Sequence, residues 1–359
     1  MIEEQSSAAG GIKSGKKAGR YVLRVLGVIL LTLALIAAFL YSAMLIICRG
    51  PSPAARNLFV LSVRETSAIG FLADLVLSPE EIAAIEDQPS TEPMEDTDTS
   101  LIELSAPDPG QGPKADEWGY VDDDGDGLIL VHLGGESYVG KMLIVLDPSR
   151  VVLGCVPESL GVRGYSVQEY AEMNDAVAAI NGGGFEDPNG QGNGSMPDTL
   201  VVKDGSIYCG SQGVGPGFVG IDSDYILHVG FTSSQDVIDW DIQQGAGYGP
   251  VLVVNGEMRD AESLASGLNP RTAIGQRSDG AILMLVIDGR QPTSLGATYQ
   301  DVAEIMLEFG AVNACNLDGG SSTLMYYYGE YVNNCASVIG IRDNPTSFVV
   351  LKEGAERNG

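Results

Sequence analysis

Histidine is nearly missing from this chain: among 359 residues there are two, His132 and His228. Neither belongs to an HExxH or other paired spacing, so a histidine-built zinc site or a Ser-His-Asp triad has little to draw on. Basic residues are scarce as well, 20 Lys and Arg against 48 Asp and Glu, for a formal charge of -28. That balance argues against nucleic acid as a partner, because phosphate contacts need clustered Lys and Arg. The chain has 5 cysteines and no CxxC, which speaks against a zinc knuckle. Cys155, Cys209, Cys315 and Cys335 allow several pairings that spacing does not resolve, and unpaired they would serve as small apolar residues. Any catalysis must rest on carboxylates, amides and arginines, with no metal or cofactor expected.

One long hydrophobic run stands out against this acidic background. Residues 25–47 read VLGVILLTLALIAAFLYSAMLII, without a charge. As a helix it covers roughly 34 Å, enough for a bilayer core with some tilt. A cleaved signal peptide would have a shorter apolar core, about 7–15 residues. Lys13, Lys16, Lys17, Arg20 and Arg24 precede the run, while Arg49 and Arg56 follow it. The positive-inside rule then places a cytoplasmic tail at 1–24, a transmembrane helix at 25–48 and the rest outside the cell. Residues 49–85 read as a juxtamembrane helical stalk, with SPEEIAAIE capped by Ser78. Residues 86–117 are rich in Pro, Asp, Glu, Ser and Thr and read as a flexible acidic linker. One folded domain is expected at 118–352, followed by a short tail at 353–359.

Within that domain, strand-like runs such as KMLIVLD, PVLVVNG and AILMLVIDG end in Gly or Asp-Gly turns, and two helices are legible. SVQEYAEM opens on Ser166 with Glu169 three residues on, and TYQDVAEIMLEF opens on Thr298 with Asp301, both capping boxes. The expected fold is mixed α/β (α+β), a large mixed β-sheet flanked by helices. The segments 166–185 and 298–322 share a plan of capped helix, strand, Asn and glycine pair. Such a unit puts its loop just past a strand end, where ligands bind in α/β sheets. Two copies would bring two glycine loops to one cleft.

NLDGGSST, at 316–323, is over-equipped for a plain Asp-Gly turn. Asp318 supplies its carboxylate, Gly319 and Gly320 let a ligand approach the backbone, and Ser321 and Ser322 add hydroxyls. In AINGGGFEDPNGQGNGS, Asn181 offers an amide, Gly182 and Gly183 follow it, and Phe185 is suited to stacking on a sugar or to packing in the core; the loop has the composition of a lid. NPRTAIGQRSDG and VIDGRQP bracket a hairpin through residues 278–280, which puts Arg271, Arg290 and Asp288 at one sheet end. Two guanidiniums there would form a phosphate clamp, or else a structural Arg–Asp pair. Arg342 is a third candidate. DDDGDG at 122–127 starts like a calcium loop, but Leu133 stands where the twelfth-position Glu belongs, so it reads as an acidic turn.

AINGGGF, NPRTAIG, IDGR, GAVNACNLDGGSST and GIRDNPTSF, in this order, resemble the phosphodiester glycosidase family. That family includes the enzyme that removes N-acetylglucosamine from a mannose 6-phosphate diester, and bacterial members are often labelled exopolysaccharide-related. The resemblance covers about residues 120–352; Glu186 stands where a second aromatic is common. It implies hydrolysis of a sugar-1-phosphate diester at the glycosidic C1–O bond. Asp318 would be the catalytic carboxylate with Asp288 second, and Arg271 and Arg290 would hold the phosphate. Asn181, Asn316, Thr272 and the glycine amides would contact the substrate. The expected partner is a glycan-phosphate substrate, in an extracellular domain anchored through the N-terminal helix. The alternatives are a glycan- or polyanion-binding ectodomain without activity, and a phosphodiesterase cutting P–O.

Overall fold

The computed structural model describes residues 8–66, 69–86, 96–104, 115–187, 192–209, 217–230, 233–337 and 340–355. Parts of the expected tails, of the acidic linker and of the glycine-rich loop (residues 188–191) therefore lie outside the described residues. Helix α1, Ala8–Arg49, contains the apolar run. Its Arg20–Arg49 portion is long and apolar enough to cross a membrane, and its most apolar stretch is not buried against the rest of the chain. Three short helices follow: α2 Pro53–Arg64, α3 Phe71–Asp74 and α4 Pro79–Glu86. They pack with the end of α1 around Cys48, Val60, Val63, Ala73, Ile82 and Ile85.

The main body is built on three sheets whose described pairings are all antiparallel. The largest has seven strands. In spatial order they are β1 Leu128–Gly134, β2 Val139–Val145, β13 Ile282–Ile287, β12 Arg271–Arg277, β14 Ala311–Leu317, β10 Val251–Val254 and β11 Glu257–Met258. A second runs β16 Glu330–Tyr331, β15 Met325–Tyr327, β4 Ala176–Asn181, β17 Thr346–Leu351, β3 Val151–Cys155. The third runs β6 Ser206–Cys209, β5 Val201–Lys203, β9 Ile242–Gly247, β7 Phe218–Asp222, β8 Leu227–Gly230. The helices and sheets give the mixed α+β fold expected, but the expected mixed sheet is antiparallel. The reason is local: β12 and β13 join through the short turn at 278–280, and a tight hairpin turn enforces antiparallel pairing.

One core lies where the sheets face each other, with Leu143 and Met284, Leu153 and Phe348, and Val219 and Val229 drawn from the three in turn. Each such side chain stabilises the fold by roughly 1.5–3 kcal/mol when buried fully. Helices cover the outer faces. Helix α5, Val167–Met173, places Val167, Tyr170 and Ala171 on the second sheet, and α7, Tyr299–Glu308, places Val302, Ile305 and Met306 on the first. Both begin with complete capping boxes, Ser166 with Glu169 and Thr298 with Asp301. Helix α6, Ser234–Asp239, seats Val237 on the third sheet. All five cysteines are free thiols.

Two segments pack more closely than their composition suggests. Residues 96–104, inside the expected linker, bind the body: the Asp98 N–H donates to Asn255 Oδ1, the Glu103 N–H donates to the Ser278 carbonyl, and Ile102 is buried with Ile226 and Val312. Helix α2 docks on residues 267–269. The Leu268 N–H donates to Ser62 Oγ at 2.9 Å, and a Cβ on Gly267 would sit 2.1 Å from the Ser62 nitrogen. Only glycine admits that approach.

Candidate active site

The two glycine loops meet, as expected from their shared plan. Strands β4 and β14 lie in different sheets, yet the Asp318 N–H donates to the Gly182 carbonyl at 3.1 Å. Asn181 completes the link: its Nδ2 donates to the Asp318 carbonyl at 2.6 Å, and its Oδ1 accepts from Thr272 Oγ1 and the Leu324 N–H. The glycines are steric requirements. A Cβ on Gly182 would lie 2.4 Å from Thr346 Oγ1, and one on Gly183 would lie 2.6 Å from the Gly247 carbonyl. Asn181, Gly182, Gly183, Thr272 and Asn316 are thus built in behind the site and do not line it. Asn316 Nδ2 donates to the Gly249 and Leu317 carbonyls.

In front of this junction is a cavity of about 350 Å³. Its wall includes Asp318, Gly319, Gly320, Ser321, Ser322, Phe185, Arg271, Arg290 and Arg342 from among the residues singled out in the sequence. Glu65, Asp187, Asp198, Tyr248, Asn269 and Tyr299 complete it. Asp318 stands in this wall where the two loops join. Burial pushes its carboxyl up to about 7, with the charge of Asp198 adding to the rise and Ser322 and Arg342 opposing it. A carboxyl poised there exchanges protons at neutral pH. Asp198 is itself raised by burial, which hydrogen bonds from its own N–H and from Thr199 only partly offset, with the charge of Glu186 adding. The Tyr248 and Tyr299 phenols are raised by burial and stay protonated, so both present O–H groups.

The three arginines differ. Arg271, only 4% exposed, has its guanidinium 4.0 Å from the centre of the Tyr299 ring and donates through Nη2 to Glu65 Oε2 at 2.7 Å. Burial works against its charge, but Tyr299 and Glu65 outweigh it and leave the pKa raised. Arg342 pairs with Asp187 at 2.7 Å, reaches Ser321 Oγ at 3.4 Å and lies 4.9 Å from the Phe185 ring centre. Phe185 therefore serves as a cavity wall beneath a cation. Arg290 meets neutral oxygens, Asn269 Oδ1 and the Glu65 carbonyl. Burial, then Arg271, presses its pKa below the usual value, so an incoming anion would relieve it.

Asp288 is not brought to this cavity. Its Oδ1 accepts from Asn333 Nδ2 and the Asn334 N–H, and its Oδ2 accepts from Asn334 Nδ2. It lines a separate hollow with His132, Lys141, Val332 and Asn333. Emergence at the same strand end did not suffice, because the Asn333–Asn334 loop captures the carboxylate. Asp122, Asp124 and Asp126 form the expected acidic turn, where Asp122 accepts from the Gly125 and Gly127 N–H groups. Among the cavity residues not anticipated, Asn269 lies inside the NPRTAIG motif and Tyr299 begins α7, so a signal existed for both. Glu65, Asp198 and Tyr248 carried none.

Residues 174–351 match the family model described as phosphodiester glycosidase. The SPbeta prophage-derived uncharacterized protein YomE of Bacillus subtilis is 32% identical over 48% of this chain and 28% of its own length. The N-acetylglucosamine-1-phosphodiester alpha-N-acetylglucosaminidase of Mus musculus is 28% identical over 55% of this chain and 41% of its own. The chain thus spans less than half of either relative. The catalytic domain of the zebrafish enzyme of that name, described as auto-inhibited by its pro-peptide, shares the fold at a TM-score of 0.54 and 22% identity, over 63% of this chain and 82% of that one.

Proposed function

From a chain whose residues 174–351 form a domain of the phosphodiester glycosidase family, we propose a hydrolase that cleaves a sugar-1-phosphate diester at the C1–O bond. The observation that carries this reading is the convergence of Asp318 and three arginines on one cavity. Arg290 holds the diester phosphate and stabilises the charge that builds on it as the bond breaks. The phosphate departs as a good leaving group, so little protonation of it is needed. Asp318, ionised, takes a proton from water as that oxygen bonds to C1. The C1–O electron pair leaves with the phosphate, giving a free sugar and a phosphomonoester. Tyr248, Tyr299 and the Ser321 hydroxyl supply hydrogen bonds to sugar or phosphate oxygens. An N-acetylglucosamine-1-phosphodiester, the group in the mouse relative's name, is the proposed substrate type, carried on an envelope or exopolysaccharide glycan. Helix α1 anchors the domain at the outer face of the cell membrane.

Hydrolysis of methyl N-acetylglucosamine-1-phosphate in oxygen-18 water tests the reading. Label in the sugar supports it. Label in the phosphate assigns P–O cleavage, and binding without turnover of this or any related diester leaves a glycan-binding domain.

A further inference from the structure

Glu65 reaches the cavity from outside the region that matches the family, 206 residues before Arg271. Its carboxylate has a built seat. Oε1 accepts from the Gly267 N–H at 2.9 Å, and Oε2 accepts from Asn269 Nδ2 at 2.9 Å and Arg271 Nη2 at 2.7 Å. Helix α2 is fixed beside it through the Ser62 contacts to Leu268 and Gly267. The cavity of about 350 Å³ remains with Glu65 in place, so the side chain lines the space and does not fill it.

The charge pattern follows from the pairing. Glu65 neutralises Arg271, and Asp187 neutralises Arg342. Arg290 is the cavity arginine that meets only neutral oxygens among the described residues. No carboxylate among them hydrogen-bonds to Arg290, but Glu65 and ionised Asp318 both act on its charge. The three arginines therefore face at least as many carboxylates, and a second negative charge on a ligand meets no spare cation. A phosphodiester carries one negative charge; the phosphomonoester left after hydrolysis carries nearly two at neutral pH.

We propose that Glu65, seated on Gly267, Asn269 and Arg271, is a specificity-determining residue that admits monoanionic phosphodiesters and repels dianionic phosphomonoesters, which also hastens product release. This deepens the phosphate assignment made above and rests on it. The Coulomb energy between Glu65 and a ligand scales with ligand charge. Removing the Glu65 charge should therefore tighten a dianion by about the square of the factor for a monoanion.

The test is calorimetric binding at pH 8 to the full chain in detergent, with methyl phosphate as the dianion and dimethyl phosphate as the monoanion. Glu65→Gln keeps the shape, and Glu65→Asp keeps the charge. For Glu65→Gln, a gain of about 3-fold for dimethyl phosphate should accompany about 10-fold for methyl phosphate. Glu65→Asp should keep the wild-type ratio of the two affinities. Equal gains for both ligands would mean that the segment blocks the cavity sterically and would overturn the proposal. So would unchanged affinities, or a Glu65→Asp variant that behaves like Glu65→Gln. Wild type and variants that bind neither ligand, or bind them with no loss in Arg290→Ala, would instead overturn the phosphate assignment itself.

Discussion

The Asn181 side-chain amide donates to the main-chain carbonyl of Asp318 at 2.6 Å and, with the Asp318 N–H bond to the Gly182 carbonyl, joins the two glycine loops across two sheets. The same side chain accepts from Thr272 and Leu324, so it fixes the backbone under the proposed catalytic carboxylate from three directions. Asn181→Ala would strand two buried donors and one carbonyl. The expected cost is about 1–3 kcal/mol of stability for the unsatisfied groups. Because the bond holds the reacting group and not the substrate, kcat should fall by at least about 10-fold with KM little changed. Thermal unfolding and steady-state kinetics measure both; a change confined to KM would contradict the positioning role.

Asp318→Asn removes the proposed base while nearly preserving volume and the contact with Ser322. Turnover should drop by about 100-fold or more, in line with the loss of general-base catalysis. Stability should move the other way. The Asp318 pKa is raised in the folded protein to about 7, from an ordinary 3.8, so the folded state binds the extra proton between those values. Its stability relative to the unfolded chain then falls as pH rises from about 4 to about 7 and stays low above. The Asn variant lacks that penalty. It should be more stable than wild type at pH 8 by about 1–4 kcal/mol, the larger figure being the full shift and the smaller allowing for cavity water. The gap should close toward pH 4. Equal unfolding midpoints at pH 8 and pH 4 would count against a strained carboxylate here.

Much of this arrangement is written locally. Ser166 with Glu169 and Thr298 with Asp301 mark two helix starts through short-range capping, and both form. The hairpin turn at 278–280 sets the register that brings Arg271 and Arg290 to one end, where both line the cavity. Asp318 was legible because carboxylate, glycines and hydroxyls crowd one strand end. Burial depth is what sequence conceals. Asn181, Thr272 and Asn316 have the chemistry to contact a substrate, but they spend it on the backbone behind the site. Asp288 was misplaced because its partners, Asn333 and Asn334, arrive from a distant loop. Glu65 was invisible for the same reason: a 206-residue separation leaves no periodicity to read.

Asp198 offers a check on the pH behaviour. As a base Asp318 must be ionised, so kcat/KM should rise with pH up to about 7 and then level. The negative charge of Asp198 is one of the influences holding the Asp318 pKa up. Asp198→Asn should therefore move the rising limb to lower pH, by about half a unit, as expected for loss of one nearby like charge in a solvated cavity. A shift to higher pH would contradict the stated coupling between the two carboxylates.

Arg290 is the most direct probe of phosphate recognition. Its guanidinium lies beside Gly320, where a Cβ would stand 3.2 Å from Nη1, and it carries no carboxylate partner among the described residues. Arg290→Ala should raise KM for a phosphodiester and lower kcat/KM by about 100-fold, toward the upper end of the roughly 1.5–3 kcal/mol range of hydrogen bonds to charged groups. Arg290→Lys keeps charge but not the planar fork, so it should recover only part of the loss. Added salt should weaken the wild type more than the Ala variant, because screening acts on a charge the variant no longer has. Measured kcat/KM across a salt series for the three proteins decides the point, and identical salt slopes would remove Arg290 from the phosphate site.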